Sequence, residues 1–522
     1  MQLFAAVPRP RLSVVPEEAR HAAALSHTAG GSRRTFDPGV DDRVLEVFAR
    51  ARDPRDPLEL RDLWLGRIEH ELGHRSHRPW LAEGWRTARR HRVVDPAEVL
   101  SSRATVRFVK EMFNWYFRDD LYGDLHSDSH LILSSGSVDE ERWGLPSALK
   151  RAIQFALDRD WYGYSDSRGR VPAREAIAAY ETARIAGARY TVDNVAMTMG
   201  GTFAISSLAD FVLHNAPDLG EPVLCGTPNY PPLVESIARR RGVRLVPLPC
   251  QDGQMSLGPL IAALTPNTPM VMLQTAANPT GAVVSEQELT QLIRAAAPTT
   301  MIILDECHEW LGPPESRSAA RAAPNVIRVS SLSKTWSAPG LKIGWFLADQ
   351  DFVAEYYEYA STAFGGPPSF FYTLVEVVAR MERWLLEGVG TPGAGQAAEF
   401  EKAYQVDLDQ LQAAYQTYRS ERLFRQESLT TLREATTTRL REASGAVIVP
   451  RCSINTTVEF TGWTDSYLCF RDILRETGVS VFPTILTFGL SGGAVRVTTA
   501  RPWDQLSEAI TRIGSYLSVP VG

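Results

Sequence analysis

Apolar and polar positions change rhythm along the chain. From about residue 41 to 120, apolar residues recur at spacings of three and four, as in LWLGRIEHELGH and ATVRFVKEMFNWYFRD, and predict amphipathic helices. Around 128–150, SHLILSSGSVDEERWGLPSALKRAI reads as strand, glycine turn, loop and helix. Short apolar runs then alternate with helical stretches. NVAMTMGG leads into TFAISSLADFVLH, and EPVLCGTPNY into PPLVESIARRRG; VRLVPLP follows, PMVMLQTAANPTG precedes SEQELTQLIRAAA, and TTMIILDE and NVIRVSSLSK come next. That alternation predicts an α/β fold, a mostly parallel central sheet with helices on both faces. Such sheets bind ligands at the C-terminal ends of their strands. After about residue 368 long helices appear, one over roughly 400–443. GAVIVP, SINTTVEF, VSVFPT and AVRVTTA then predict a smaller mixed α/β region. Residues 1–40, rich in Pro, Arg, Gly and Ser, predict irregular chain.

A length of 522 residues implies two or three domains. A net charge of −6 opposes a general nucleic-acid binder. No apolar run is long enough to span a bilayer, and the N-terminus has no apolar core behind a basic start. Five scattered cysteines suit free thiols in a reducing compartment. These features together lead us to expect a cytoplasmic protein with no nucleic-acid or membrane partner. One compositional detail bears on chemistry. Of 55 basic residues only five are lysines, and two of them, Lys334 and Lys342, stand eight apart in SSLSKTWSAPGLKIGW. A lysine can lose its proton when desolvated, and an arginine cannot.

The residues at the predicted strand ends suggest one site. In MGGTFAIS, Gly201 and Thr202 open a helix whose N-terminus suits a phosphate, although alone the segment also reads as a tight turn. In TPNYPP, Tyr230 stands on a stiff loop that can hold its ring flat against a planar ligand, although alone the segment reads first as a turn with a surface tyrosine. In AANPTG, Asn278 offers an amide donor, in a segment that also fits a simple turn. In MIILDECHEW, Asp305 ends a buried strand, where a carboxylate needs a partner: a structural cation or a pyridinium nitrogen. His308 follows three residues later. Ser331, Ser333 and Lys334 end the next strand, and Lys342 can add charge to the same phosphate. A phosphate cradle, an aromatic stacker, a carboxylate for a ring nitrogen, a donor for a ring oxygen and an amine for a carbonyl are what pyridoxal 5′-phosphate requires.

The order of ANPTG, the strand-end DE and SLSKTWSAPGLKIG resembles the fold-type I pyridoxal-phosphate enzymes, specifically the class I/II aminotransferases, over about residues 130–505. The resemblance implies a large cofactor-binding domain over 165–365, a small domain from 129–164 and 366–522, and a helical extension over 1–128. It implies that Lys334 forms the Schiff base and moves the substrate's α-proton. Asp305 would pair with the pyridine nitrogen, Asn278 would bond the ring oxygen and Tyr230 would stack. Gly201, Thr202, Ser331, Ser333 and Lys342 would hold the phosphate. GGAVRVTTARP resembles the segment whose arginine clamps the substrate carboxylate, here Arg496. WYGYSDSRG resembles the segment that sends a tyrosine, Tyr164 first and Tyr162 second, into the neighbouring subunit's site, implying a homodimer. Two positions depart from the family pattern: His308 stands where a tyrosine is usual, adding a titration near neutral pH, and Lys342 stands where an arginine is usual. The expected activity is amino transfer from an amino acid. Elimination, replacement or carbon–carbon bond formation, in some relatives on S-adenosylmethionine, is the alternative, and a cofactor-sensing transcription regulator is the reading outside enzymes.

The extension also contains HELGH (70–74). On a continuous helix His70 and His74 would share a face and Glu71 could activate a zinc-bound water. No third ligand stands at a familiar spacing, and the polar flanks fit an ordinary exposed helix, so no metal is expected.

Overall fold

The computed structural model describes residues 2–4, 13–26, 35–90, 92–309, 311, 317–443 and 445–518. A seven-stranded sheet forms the centre. Its spatial order is Val195–Thr198, Gly344–Leu347, Val326–Ser331, Met301–Asp305, Met270–Gln274, Val223–Thr227 and Val243–Pro247. Only Gly344–Leu347 runs antiparallel to its neighbours. VAMT, VLCGT and MVMLQ are buried at every position, as strands covered on both faces must be. Register then places the chemistry: Gln274 lies opposite Asp305, and Asp305 opposite Val329, so three strands end side by side. The mostly parallel α/β sheet is the one expected from the sequence.

A four-stranded antiparallel sheet is built from Gly445–Ile448, Asn455–Phe460, Val495–Thr498 and Phe482–Pro483. Leu131–Ile132 pairs in parallel with Val479–Ser480, tying the chain after the extension to its C-terminal part.

The extension is helical, and its caps explain where the helices start. Asp41, Asp56, Asp95 and Ser102 each accept a first-turn backbone N–H, and prolines 57, 79 and 96 stand where a missing N–H costs nothing. The helices are clamped to the body by two buried ion pairs, Arg67 with Asp465 and Arg471 with Glu69 at 2.7 Å, and by the solvent-reaching Arg103 and Arg107, which pair with the buried Glu235 at 2.8 and 3.0 Å. Helix Arg103–Trp115 continues into a segment of π-helical winding, Tyr116–Asp124, that kinks at Gly123, where φ is −106° and ψ −118°.

Two expectations are corrected here. Residues 1–40 are not wholly irregular: Glu17–Ser26 is a helix that buries Ala19, Ala22 and Ala23, packed on the long helix Leu408–Glu442. Small alanines carry a weak periodic signal, so tertiary packing decides this element. In HELGH, the helix Pro57–Leu72 ends before the second histidine. Gly73, at φ 57°, stops it, and His74 lies in the following turn, so His70 and His74 do not share a helix face. Both are exposed.

Candidate active site

The strand ends open into a cavity of about 280 Å³. Of the residues singled out from the sequence, Gly201, Thr202, Tyr230, Asn278, Asp305, His308, Ser331, Ser333, Lys334, Lys342 and Arg496 all line it. Tyr164 and Tyr162 do not. Both are exposed on the surface of the single chain.

Asp305 is buried and oriented from both sides. The Cys307 backbone N–H donates to Oδ1 at 3.0 Å and Gln274 Nε2 to Oδ2 at 3.0 Å. Directly behind it, Glu306 is held by Arg321 at 2.6 Å and by Arg328 at 2.7 and 2.8 Å, and Arg328 also reaches Glu181 at 2.7 Å. Despite burial, these guanidinium groups hold the Glu306 carboxyl well below the usual range. The network fixes the strand end that carries Asp305.

Lys334 is half-buried in the short helix Leu332–Thr335, and its Nζ donates to the Gly136 carbonyl at 2.9 Å. Burial, reinforced by the Arg496 charge, lowers its pKa to about 8. The lysine therefore reaches its neutral, nucleophilic form near physiological pH.

Arg496 is buried among neutral partners. It donates to Asn278 Oδ1 at 2.9 Å and to the Ser134 carbonyl at 2.6 Å, and it lies 4.1 Å over the Phe482 ring. Its Nε has no partner, and no carboxylate pairs with it among the described residues. Burial lowers its pKa to about 10. An unpaired buried cation is costly and calls for an anion. Because Arg496 occupies Asn278 Oδ1, the Asn278 amide nitrogen is the group left to donate.

The phosphate cradle fits as well. Gly200, at φ 80°, opens helix Gly200–Asn215, and a Cβ at Gly201 would come within 2.7 Å of Cys307 Sγ. Ser331 caps the lysine's helix by accepting the Ser333 N–H at 3.4 Å. Lys342 sits in a left-handed turn at φ 55°, exposed on the rim.

His308 corrects an expectation. Its Nδ1 lies 3.2 Å from Ser453 Oγ, and Ser453 itself holds a left-handed conformation at φ 73°. Burial, with Lys334 and Arg496 nearby, pushes the imidazole pKa down to about 3. The ring is neutral throughout the ordinary range and does not titrate near pH 7. Sequence reasoning missed Gln274, Gly136, Phe113, Phe117 and Phe482, all of which line the same cavity. Gln274 had a usable signal, as a polar residue ending an otherwise apolar strand.

The family model for aminotransferase class I and II matches residues 129–513. The chain belongs to this family. It is accordingly a pyridoxal-phosphate-dependent enzyme of the aminotransferase type. It is 28% identical over 399 residues to a valine–pyruvate aminotransferase of Mycobacterium tuberculosis, covering 74% of this chain and 92% of that protein. It is 27% identical over 213 residues to an aromatic amino acid aminotransferase of Mycobacterium sp. (strain KMS), covering 40% of this chain and 57% of that one. The fold matches the N-succinyldiaminopimelate aminotransferase structure from Mycobacterium tuberculosis with a TM-score of 0.60 at 22% identity, over 78% of this chain and 96% of that one. Three features of the chain fit the family's cofactor: a carboxylate fixed for a ring nitrogen, a cradle that a Cβ would fill, and a lysine of lowered pKa.

Proposed function

We propose that this aminotransferase moves the amino group of an α-amino acid to a 2-oxo acid with Lys334 as its reactive amine, in a site completed by a second copy of the chain. The observation that carries this reading is the buried, unpaired Arg496 in the same cavity as a lysine of pKa about 8. When bound, pyridoxal phosphate supplies a carbonyl for amines and a ring that accepts electrons from the substrate's Cα. Asp305, held by Gln274 and the Cys307 N–H, would keep a proton on the ring nitrogen. Asn278 and the neutral His308 would donate to the ring oxygen. The N-terminus of helix Gly200–Asn215, with Thr202, Ser331, Ser333 and Lys342, would hold the phosphate, and Tyr230 would stack on the ring. Arg496 orients the substrate carboxylate, and Lys334 takes and returns the proton at Cα.

Tyr164 and Tyr162 are exposed large aromatics on one loop. That suits insertion into a partner's phosphate site, and hence a homodimer. A cytoplasmic location agrees with the free cysteines and with the absence, among the described residues, of a helix long and apolar enough to cross a membrane.

The test is absorption spectroscopy of protein reconstituted with pyridoxal phosphate. A visible band that Lys334→Ala abolishes, and that an amino acid discharges only until a 2-oxo acid restores it, is expected. No band at all, or release of a leaving group without an oxo-acid requirement, would overturn the reading.

A further inference from the structure

We propose that the N-terminal extension supplies the side-chain wall of this site, and that the amino acid selected carries a bulky aromatic side chain. The inference rests on the aminotransfer reading above and adds the substrate class. The family match begins at residue 129, yet Phe113 and Phe117 line the cavity. They stand one turn apart where helix Arg103–Trp115 passes into the π-helical segment, a winding often found at functional sites. Tyr116 between them faces inward, and its hydroxyl donates to the Val481 carbonyl at 2.8 Å.

The two rings join the substrate-facing groups directly. Phe113 meets Tyr230 edge-on at 5.7 Å and Phe482 at 6.3 Å, and Phe117 lies 6.2 Å from Phe482. Arg496 rests on the same cluster, 4.1 Å over Phe482. A carboxylate on Arg496 therefore brings the rest of the substrate against an aromatic wall. The geometry is rigid, because Arg103 and Arg107 tie the helix to Glu235, and Asp120 of the π segment accepts from Arg78 at 2.6 Å. Among the described residues, the only cations lining the cavity are Lys334, Lys342 and Arg496, and each already has a task; Lys110, 5.3 Å over the Phe113 ring, does not line it and donates to Asn114. A second carboxylate on the substrate would meet apolar rings with no partner, at a desolvation cost.

The holoenzyme can be tested without turnover, by calorimetric titration with 3-phenylpropanoate, propanoate and succinate. Wild type should bind 3-phenylpropanoate at least about tenfold more tightly than succinate. Phe113→Ala and Phe117→Ala should each weaken 3-phenylpropanoate about tenfold while leaving propanoate within about threefold. Phe113→Leu and Phe117→Leu, which keep apolar bulk, should fall between and serve if an alanine variant does not fold. Tighter succinate binding in wild type, or 3-phenylpropanoate affinity unchanged in the variants, overturns the proposal. The cofactor band separates the two readings: a normal band with no aromatic preference sinks this inference alone, and a missing band in wild type sinks both.

Discussion

Arg496→Met removes the guanidinium and keeps the apolar stem. Burial lowers the arginine pKa from 12.5 to about 10, and at about 1.4 kcal/mol per pKa unit the ligand-free protein carries a penalty on the order of 3 kcal/mol there. The substitution relieves that penalty. It also strands the Ser134 carbonyl and the Asn278 oxygen, which lose bonds of 2.6 and 2.9 Å, at about 1–3 kcal/mol each. Against the relief of about 3 kcal/mol, the ligand-free variant should lie between about 1 kcal/mol more stable and about 3 kcal/mol less stable than wild type. Ligand binding should weaken. Truncating one partner of a buried charge pair costs about 2–5 kcal/mol, so carboxylate affinity should drop by about 30-fold or more. The assay is a thermal melt followed by circular dichroism, without ligand, beside a propanoate titration of the holoenzyme. A melting temperature lowered by more than about 4 °C would make Arg496 a structural brace. Retained propanoate affinity would remove it as the carboxylate's partner. Either result refutes the reasoning.

The remaining predictions concern the lysine and the buried network. When pyridoxal phosphate is added to ligand-free protein, the initial rate at which the visible band grows should rise with pH, with a midpoint near 8 set by Lys334, and His308 should add no inflection between about pH 5 and 8. The folded lysine releases its proton near 8 and the unfolded one near 10.5, so between those values the unfolded chain holds more protons. Stability of the ligand-free protein should therefore increase with pH across that window, and Lys334→Met should abolish the increase. A band-growth midpoint above about 10 contradicts the desolvated amine. Arg328→Met leaves Glu306 with Arg321, and Glu181 with Arg184. Each carboxylate keeps one guanidinium, so the loss is that of charge-assisted hydrogen bonds, about 1.5–3 kcal/mol, read as a lowered denaturation midpoint, and an unchanged midpoint would show that the network does not brace the Asp305 strand.

The parts of the site that are legible in the sequence are local ones. A strand end, the turn after it and the side chain on that turn are neighbours along the chain, so ANPTG, DE and SLSK each carry their own geometry. Arg496 was accessible only through resemblance, because its partners Ser134 and Asn278 lie 362 and 218 residues away. Phe113 and Phe117 were legible as part of an apolar helical face, but periodicity does not say whether that face meets a core or a cavity. The charge state of His308 depends on burial and on two distant cations, which residue identity alone does not encode. The end of the HELGH helix was readable in principle, since Gly73 is a helix-stop signal.

The ion pairs that clamp the extension also settle what counts as the enzyme. A fragment cut to the family-matched residues 129–513 would strip Asp465 of Arg67, Arg471 of Glu69, and Glu235 of Arg103 and Arg107, opening the buried charges of Asp465, Arg471 and Glu235 to solvent. It would also remove the aromatic wall beside Arg496. The described helices of this region are thus braced against the body and reach its cavity. A chimera built to test the proposed aromatic preference on a relative must carry the Arg103–Trp115 helix together with its receiving surfaces.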